Sequence, residues 1–131
     1  MKIDAHRDKA TRIERSLGRV PDADYEVVIE AAMLAGTHWF NILLHRAGLL
    51  PETRDAMHAE FLPLGERRRV AAAMPGILDA LDTIERLRTL HVRGDMPGGE
   101  AAAATARTCL DRLRSVASPR GDGHPPPQCG L

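Results

Sequence analysis

The sequence predicts an all-α protein, an up-and-down bundle of four to five helices. Three observations predict it. The run from Asp22 to Gly48 has no interior proline and is the most apolar stretch of the chain. Elsewhere, apolar residues recur at helical spacings between Pro and Gly signals. No stretch alternates with the period of two that a half-buried strand needs, and no internal repeat is visible.

Lys2 to Leu17 is charged, with Ile3, Ala10, Ile13 and Leu17 at helical spacings and Gly18 as a stop, which makes a short helix with a thin apolar stripe. Pro21 and Asp22 begin the central helix, Asp24 and Glu26 place negative charge in its first turn, and Gly48 and Pro51 end it. At about 100° per residue, Val28, Ala31, Ala32, Ala35, Trp39, Ile42 and Leu43 share one face. Ile29, Met33, Gly36, Phe40, Leu44 and Ala47 make a second. Only a narrow polar strip remains, formed by Glu30, Thr37, Asn41 and His45 with His38 beside it. A helix so nearly encircled by apolar side chains needs cover from other helices or a second subunit, so a homodimer is expected.

Pro51 to Phe61 has a short helix-like pattern anchored by Ala56, Met57 and Phe61. A second long helical pattern, Glu66 to Val92, is interrupted at Pro75-Gly76, where a missing N–H and a crowded turn predict a kink or break. Past it, Ile77, Leu81 and Ile84 form a seam that runs on into Arg88 and His91 and so turns from apolar to basic. Gly94 to Gly99 reads as a loop and Glu100 to Ala117 as a final helix anchored by Cys109, Leu110, Leu113 and Val116. Residues 119–131, rich in Pro and Gly, lack apolar periodicity and are expected to be disordered, which leaves residues 1–118 as one domain.

Composition narrows function mainly by exclusion. The 131 residues suit one core, and 18 basic against 18 acidic residues leave no global basic field, so nucleic-acid binding would need a local patch. Cys109 and Cys129 fall in a helix and in the tail, which is no disulfide framework and suits a reducing compartment. The N-terminal segment lacks the apolar core of a signal peptide, and no segment reads as a membrane span, so a cytoplasmic protein with no membrane partner is expected. No dinucleotide fingerprint, phosphate loop, paired CxxC or nucleophile elbow is present.

One segment carries chemistry. Arg86 to His91 places two guanidiniums and an imidazole within two turns, groups that hold a phosphate and move a proton near neutral pH. On an ideal helix Arg86 and His91 lie about 140° apart, whereas Arg88 and His91 share a face. In the central helix His38 and His45 are seven residues, or about 10.5 Å, apart, too far for both to ligate one ion. No metal and no cofactor is therefore expected, and the strip reads as a buried polar interface.

Two stretches together resemble the HEPN superfamily (higher eukaryote and prokaryote nucleotide-binding). DYEVVIEAAMLAGTHWFNILLHRAGL, residues 24–49, looks like its long early helix, and LDTIERLRTLHVRGDMPGGEAAAATARTCLDRL, residues 81–113, looks like its motif helix, loop and final helix. Ribonuclease members carry an arginine, four to six residues and a histidine, which Arg86 and His91 match with four between. Leu87 stands where active members commonly have a polar residue, and Arg93 where an aromatic often follows the histidine by two. The resemblance implies first a nucleotide- or RNA-binding or protein-interaction module of a toxin-antitoxin or stress-defence system, with an antitoxin-type partner. Its alternative is a metal-independent endoribonuclease with Arg86 and His91 as catalytic pair. Arg88, Asn41, Glu30, His38 and Arg93 complete the expected binding set, Asn41 orienting the pair.

Overall fold

The computed structural model describes residues 1–59 and 62–118. Within them the chain is all helical: α1 (Ile3–Leu17), α2 (Tyr25–Arg46), α3 (Leu64–Ala73), α4 (Ile77–Leu87), a π-helical segment (Arg88–Arg93) and α5 (Gly99–Ala117). Phe61 and the tail expected to be disordered lie outside the described residues.

α2 is the hub. It packs against α1, α4, the π segment and α5. α1 and α4 run antiparallel to it and α5 parallel, as shown by His6 on His38, Arg88 on Glu30, and Tyr25 beside Gly99. Ala102, Ala103 and Ala106 of α5 are buried beside the expected anchor Cys109, small residues that the sequence reading did not name. Trp39 and Phe40 are 3% and 0% exposed within the single chain, so their cover does not require a second copy. The Trp39 indole donates to Glu14 of α1 (2.6 Å), whose other oxygen accepts from Arg114 of α5, so one carboxylate ties three helices together. Arg107 of α5 likewise pairs with Asp22 (2.7 Å), which lies before α2 rather than in its first turn.

The break at Pro75-Gly76 is present: α3 ends at Ala73 and Gly76, at φ 83°, caps the start of α4. A left-handed residue there reverses the chain direction cheaply only without a Cβ. Two expectations need correction. Pro51 to Ala59 forms no α-helix, and Met57, taken as an apolar anchor, is 71% exposed. The backbone there bonds outward instead: Ala56 to Asn41, Ala59 N–H to Glu85 and Ala59 C=O to Arg67. α2 is also long and apolar enough to cross a membrane by length and composition, although 67% of that window is buried inside the fold. Cys109 is buried in the core, and Cys129 lies outside the described residues.

Candidate functional site

The polar strip of α2 divides between two neighbourhoods. Glu30 faces the π segment, where its carboxylate accepts from Arg88 Nε at 2.8 Å. Asn41 lies eleven residues further on, about 17 Å along the axis, and its side chain is spent elsewhere. Its amide donates to Thr37 C=O (2.9 Å) and Ala56 C=O (2.8 Å) and accepts from Ala56 N–H (2.7 Å). Asn41 therefore clamps the 47–63 connection rather than orienting Arg86 and His91. Among the described residues no hydrogen bond or ion pair joins Arg86 to His91 either.

At the end of α4 the winding loosens into the π segment, in which the N–H of residue i+5 pairs with the C=O of residue i. The Gly94 N–H closes it on Thr89 C=O at 3.0 Å. Met96 is then gripped twice, its N–H by Leu90 C=O (3.1 Å) and its C=O by His91 Nδ1 (3.0 Å). A carbonyl only accepts, so Nδ1 carries the proton and neutral His91 keeps a bare lone pair on Nε2. No described buried side-chain nitrogen or oxygen lacks a partner, and Nε2 has none, so Nε2 opens to the surface although the ring is largely buried. Arg86 and Arg93, exposed, and Arg88, half-buried, lie within five residues of this histidine along the chain, a local basic stretch in a sequence of zero net charge.

Gly94 secures this arrangement. A Cβ there would sit 2.7 Å from Leu90 C=O, a backbone atom that already holds Met96. Gly94→Ala should cost about 2 kcal/mol and lower Tm by roughly 8 °C. It should also loosen the His91 ring, seen as a shift of its imidazole resonances; an unchanged Tm and an unchanged imidazole spectrum would show that the segment tolerates a side chain.

The second neighbourhood gathers His6 from α1, His38 and His45 from α2 and Asp55 from the 47–63 connection. His6 Nδ1 lies 2.9 Å from His38 Nδ1, and Asp55 Oδ1 lies 3.0 Å from His6 Nε2 and 2.8 Å from His45 Nε2. His45 Nδ1 donates to Leu50 C=O at 3.1 Å, and the Met1 amino group reaches the same carboxylate. Burial pushes His6 below the usual histidine range despite the opposing hydrogen bond and charge of Asp55. His38 is lowered by burial and by the charges of His6 and Lys9. For Asp55, burial would raise the pKa, but hydrogen bonds from His6, His45 and the amino terminus outweigh it and hold the carboxyl below its ordinary value.

Sequence reasoning placed His38 and His45 but missed His6 and Asp55. His6 was legible, since it continues the 4-3-4 spacing of Ala10, Ile13 and Leu17 onto the buried face of α1. Asp55 sits in an irregular connection with no periodic signal. Of the expected set, the structure groups Glu30, Arg88 and His91 around the π segment, with Arg86 and Arg93 at its two ends, and places His38 and Asn41 in the other half of α2. Comparison with protein-family models, curated proteins and solved structures returns no match.

Proposed function

We propose that this chain is a HEPN-like module that binds RNA or a nucleotide, or an antitoxin-type protein, through the basic end of α4. The observation that carries the reading is the π segment, which begins two residues after Arg86 and contains Arg88, His91 and Arg93, with one imidazole nitrogen open to the surface. Phosphate suits this patch, since Arg86 and Arg93 form no ion pair among the described residues and Arg88 is held by Glu30 alone. Anisotropy with a short single-stranded RNA tests it. Substituting Arg86 and Arg88 together by alanine should weaken binding by about tenfold or more and flatten the salt dependence by roughly one unit or more of log-log slope. The fold should survive, because Arg86 is exposed and a partly solvated surface pair such as Arg88 with Glu30 contributes little to stability. RNA affinity equal to that of the parent at every salt concentration would refute the assignment.

The second reading is a metal-independent endoribonuclease, favoured by the fixed tautomer of His91. Nε2 would take the ribose 2′-hydroxyl proton or return one to the leaving oxygen while Arg86 holds the phosphate. Val27 and Leu34, 56% and 55% exposed on α2, flank Glu30, and a second copy docked on that stripe would place two such patches side by side in a homodimer. Cleavage should persist in EDTA and leave a 2′,3′-cyclic phosphate, and His91→Ala should slow it by about a hundredfold or more. Equal rates for parent and His91→Ala would leave only the binding module.

A further inference from the structure

We infer that His6, His45 and Asp55 form a binding site for a divalent transition-metal ion of the zinc and ferrous-iron class. Nothing in the proposed RNA reading depends on it, and it lies at the other end of α2.

Leu50 C=O can only accept, so the proton of neutral His45 is on Nδ1 and its Nε2 presents a lone pair. That lone pair faces Asp55 Oδ1 at 2.8 Å, and the carboxylate oxygen is an acceptor as well. Two acceptors at this distance need a cation between them, either a second proton on the imidazole or a metal ion. His6 offers the same choice. Its Nδ1 can donate to His38 Nδ1, and then its Nε2 also aims a lone pair at Asp55 Oδ1, 3.0 Å away.

In this tautomeric state two imidazole lone pairs and one carboxylate oxygen converge. One donor atom from each of the three residues lies within 4.8 Å of the other two. A tetrahedral ion with bonds of about 2.0–2.2 Å needs its donors about 3.3 Å apart, so His45 and Asp55 would part by a few tenths of an ångström and the two ring nitrogens would close by up to about 1.5 Å through side-chain rotation. The outer bonds are those that metal-bound histidines use: each ligating ring donates its other N–H, His45 to a backbone carbonyl and His6 to a second histidine. His38 is thus a positioning residue, not a ligand, which agrees with its distance along the helix from His45. Two imidazoles and one carboxylate leave at least one coordination position open. Asp55 is 24% exposed, so water can reach that position. The ligands come from α1, α2 and the segment 47–59 that follows it, so the bound ion would fasten the first helix and that segment to the hub.

Full-length protein stripped with chelator and dialysed is titrated with zinc by calorimetry and with cobalt(II) by visible absorption. The expected result is one ion per chain, a d–d spectrum of four- or five-coordinate cobalt, and a Tm raised by about 10 °C at a hundredfold excess over Kd. Asp55→Asn should abolish the cobalt spectrum, and His38→Gln should weaken binding by about 10- to 100-fold. His58→Ala, outside the cluster, should leave binding unchanged. No cobalt spectrum and no one-to-one binding by the parent would assign the cluster to a His45 imidazolium paired with Asp55 and overturn the proposal. Binding that persists undiminished in Asp55→Asn would do the same, since surface histidines would then be holding the ion. If Asp55→Asn fails to fold, X-ray absorption of the zinc-loaded parent decides, with two imidazoles and one carboxylate in the first shell expected and any other ligand set overturning the assignment.

Discussion

Replacing Asn41 by alanine should destabilise the protein by about 3 kcal/mol, a fall of roughly 12 °C in Tm. Asn41 is 1% exposed and acts on Ala56 from both sides, accepting from its N–H and donating to its C=O. Ala56 is itself buried, in a segment that has no helix or sheet to satisfy it. Truncation leaves one donor and one acceptor without partners inside the protein, and each costs about 1–3 kcal/mol. Water entering the vacated space would recover part of that. Asn41→Asp separates the two halves of the clamp, because a carboxylate still accepts from Ala56 N–H but cannot donate to its C=O. Chemical denaturation should place Asn41→Asp between the parent and the alanine variant. An alanine variant as stable as the parent, but impaired in RNA binding, would return Asn41 to the Arg86 and His91 site.

This residue also shows what was legible in the sequence. Its place on a polar strip follows from periodicity, and periodicity is local, so the helices, the break at Pro75-Gly76 and the loop ending at Gly98 could all be read. What Asn41 does depends on Ala56, fifteen residues away in a segment without regular spacing. The same non-local bonds kept Pro51 to Ala59 from becoming the helix that Ala56 and Met57 suggested. Asp55 was invisible for that reason, and His6 was not named although it continues the spacing of Ala10, Ile13 and Leu17. The strip itself was read as one surface, but its neighbours divide it: the π segment takes Glu30, while α1 and the 47–63 connection take His38, Asn41 and His45. The change of winding after Leu87 has no proline or glycine within it to announce it. Its only nearby marker is Gly94, which had been assigned to the following loop.

The largest effect expected of a single substitution is at Gly36, where Gly36→Leu should cost more than about 4 kcal/mol or prevent folding. Gly36 faces the point at which α2, α4 and α5 meet. A Cβ added there would lie 3.2 Å from Leu113 Cδ1 and 3.5 Å from both Ile84 Cδ1 and Leu81 Cδ1. These three side chains are at most 0% exposed, so they have no solvent into which to move. Three further carbons beyond the Cβ have no volume to occupy unless the helices separate, and overpacking of this kind commonly costs 1–3 kcal/mol for smaller insertions. Gly36→Ala is the graded control. Alanine favours the helix over glycine by about 1 kcal/mol, and the single tight contact is with the methyl end of a leucine that can yield by a few tenths of an ångström. The alanine variant should therefore stay within about 1 kcal/mol of the parent, while the leucine variant loses its cooperative thermal transition or melts at least roughly 15 °C lower. Near-parental melting of Gly36→Leu would mean that α2, α4 and α5 do not close on one another at this position.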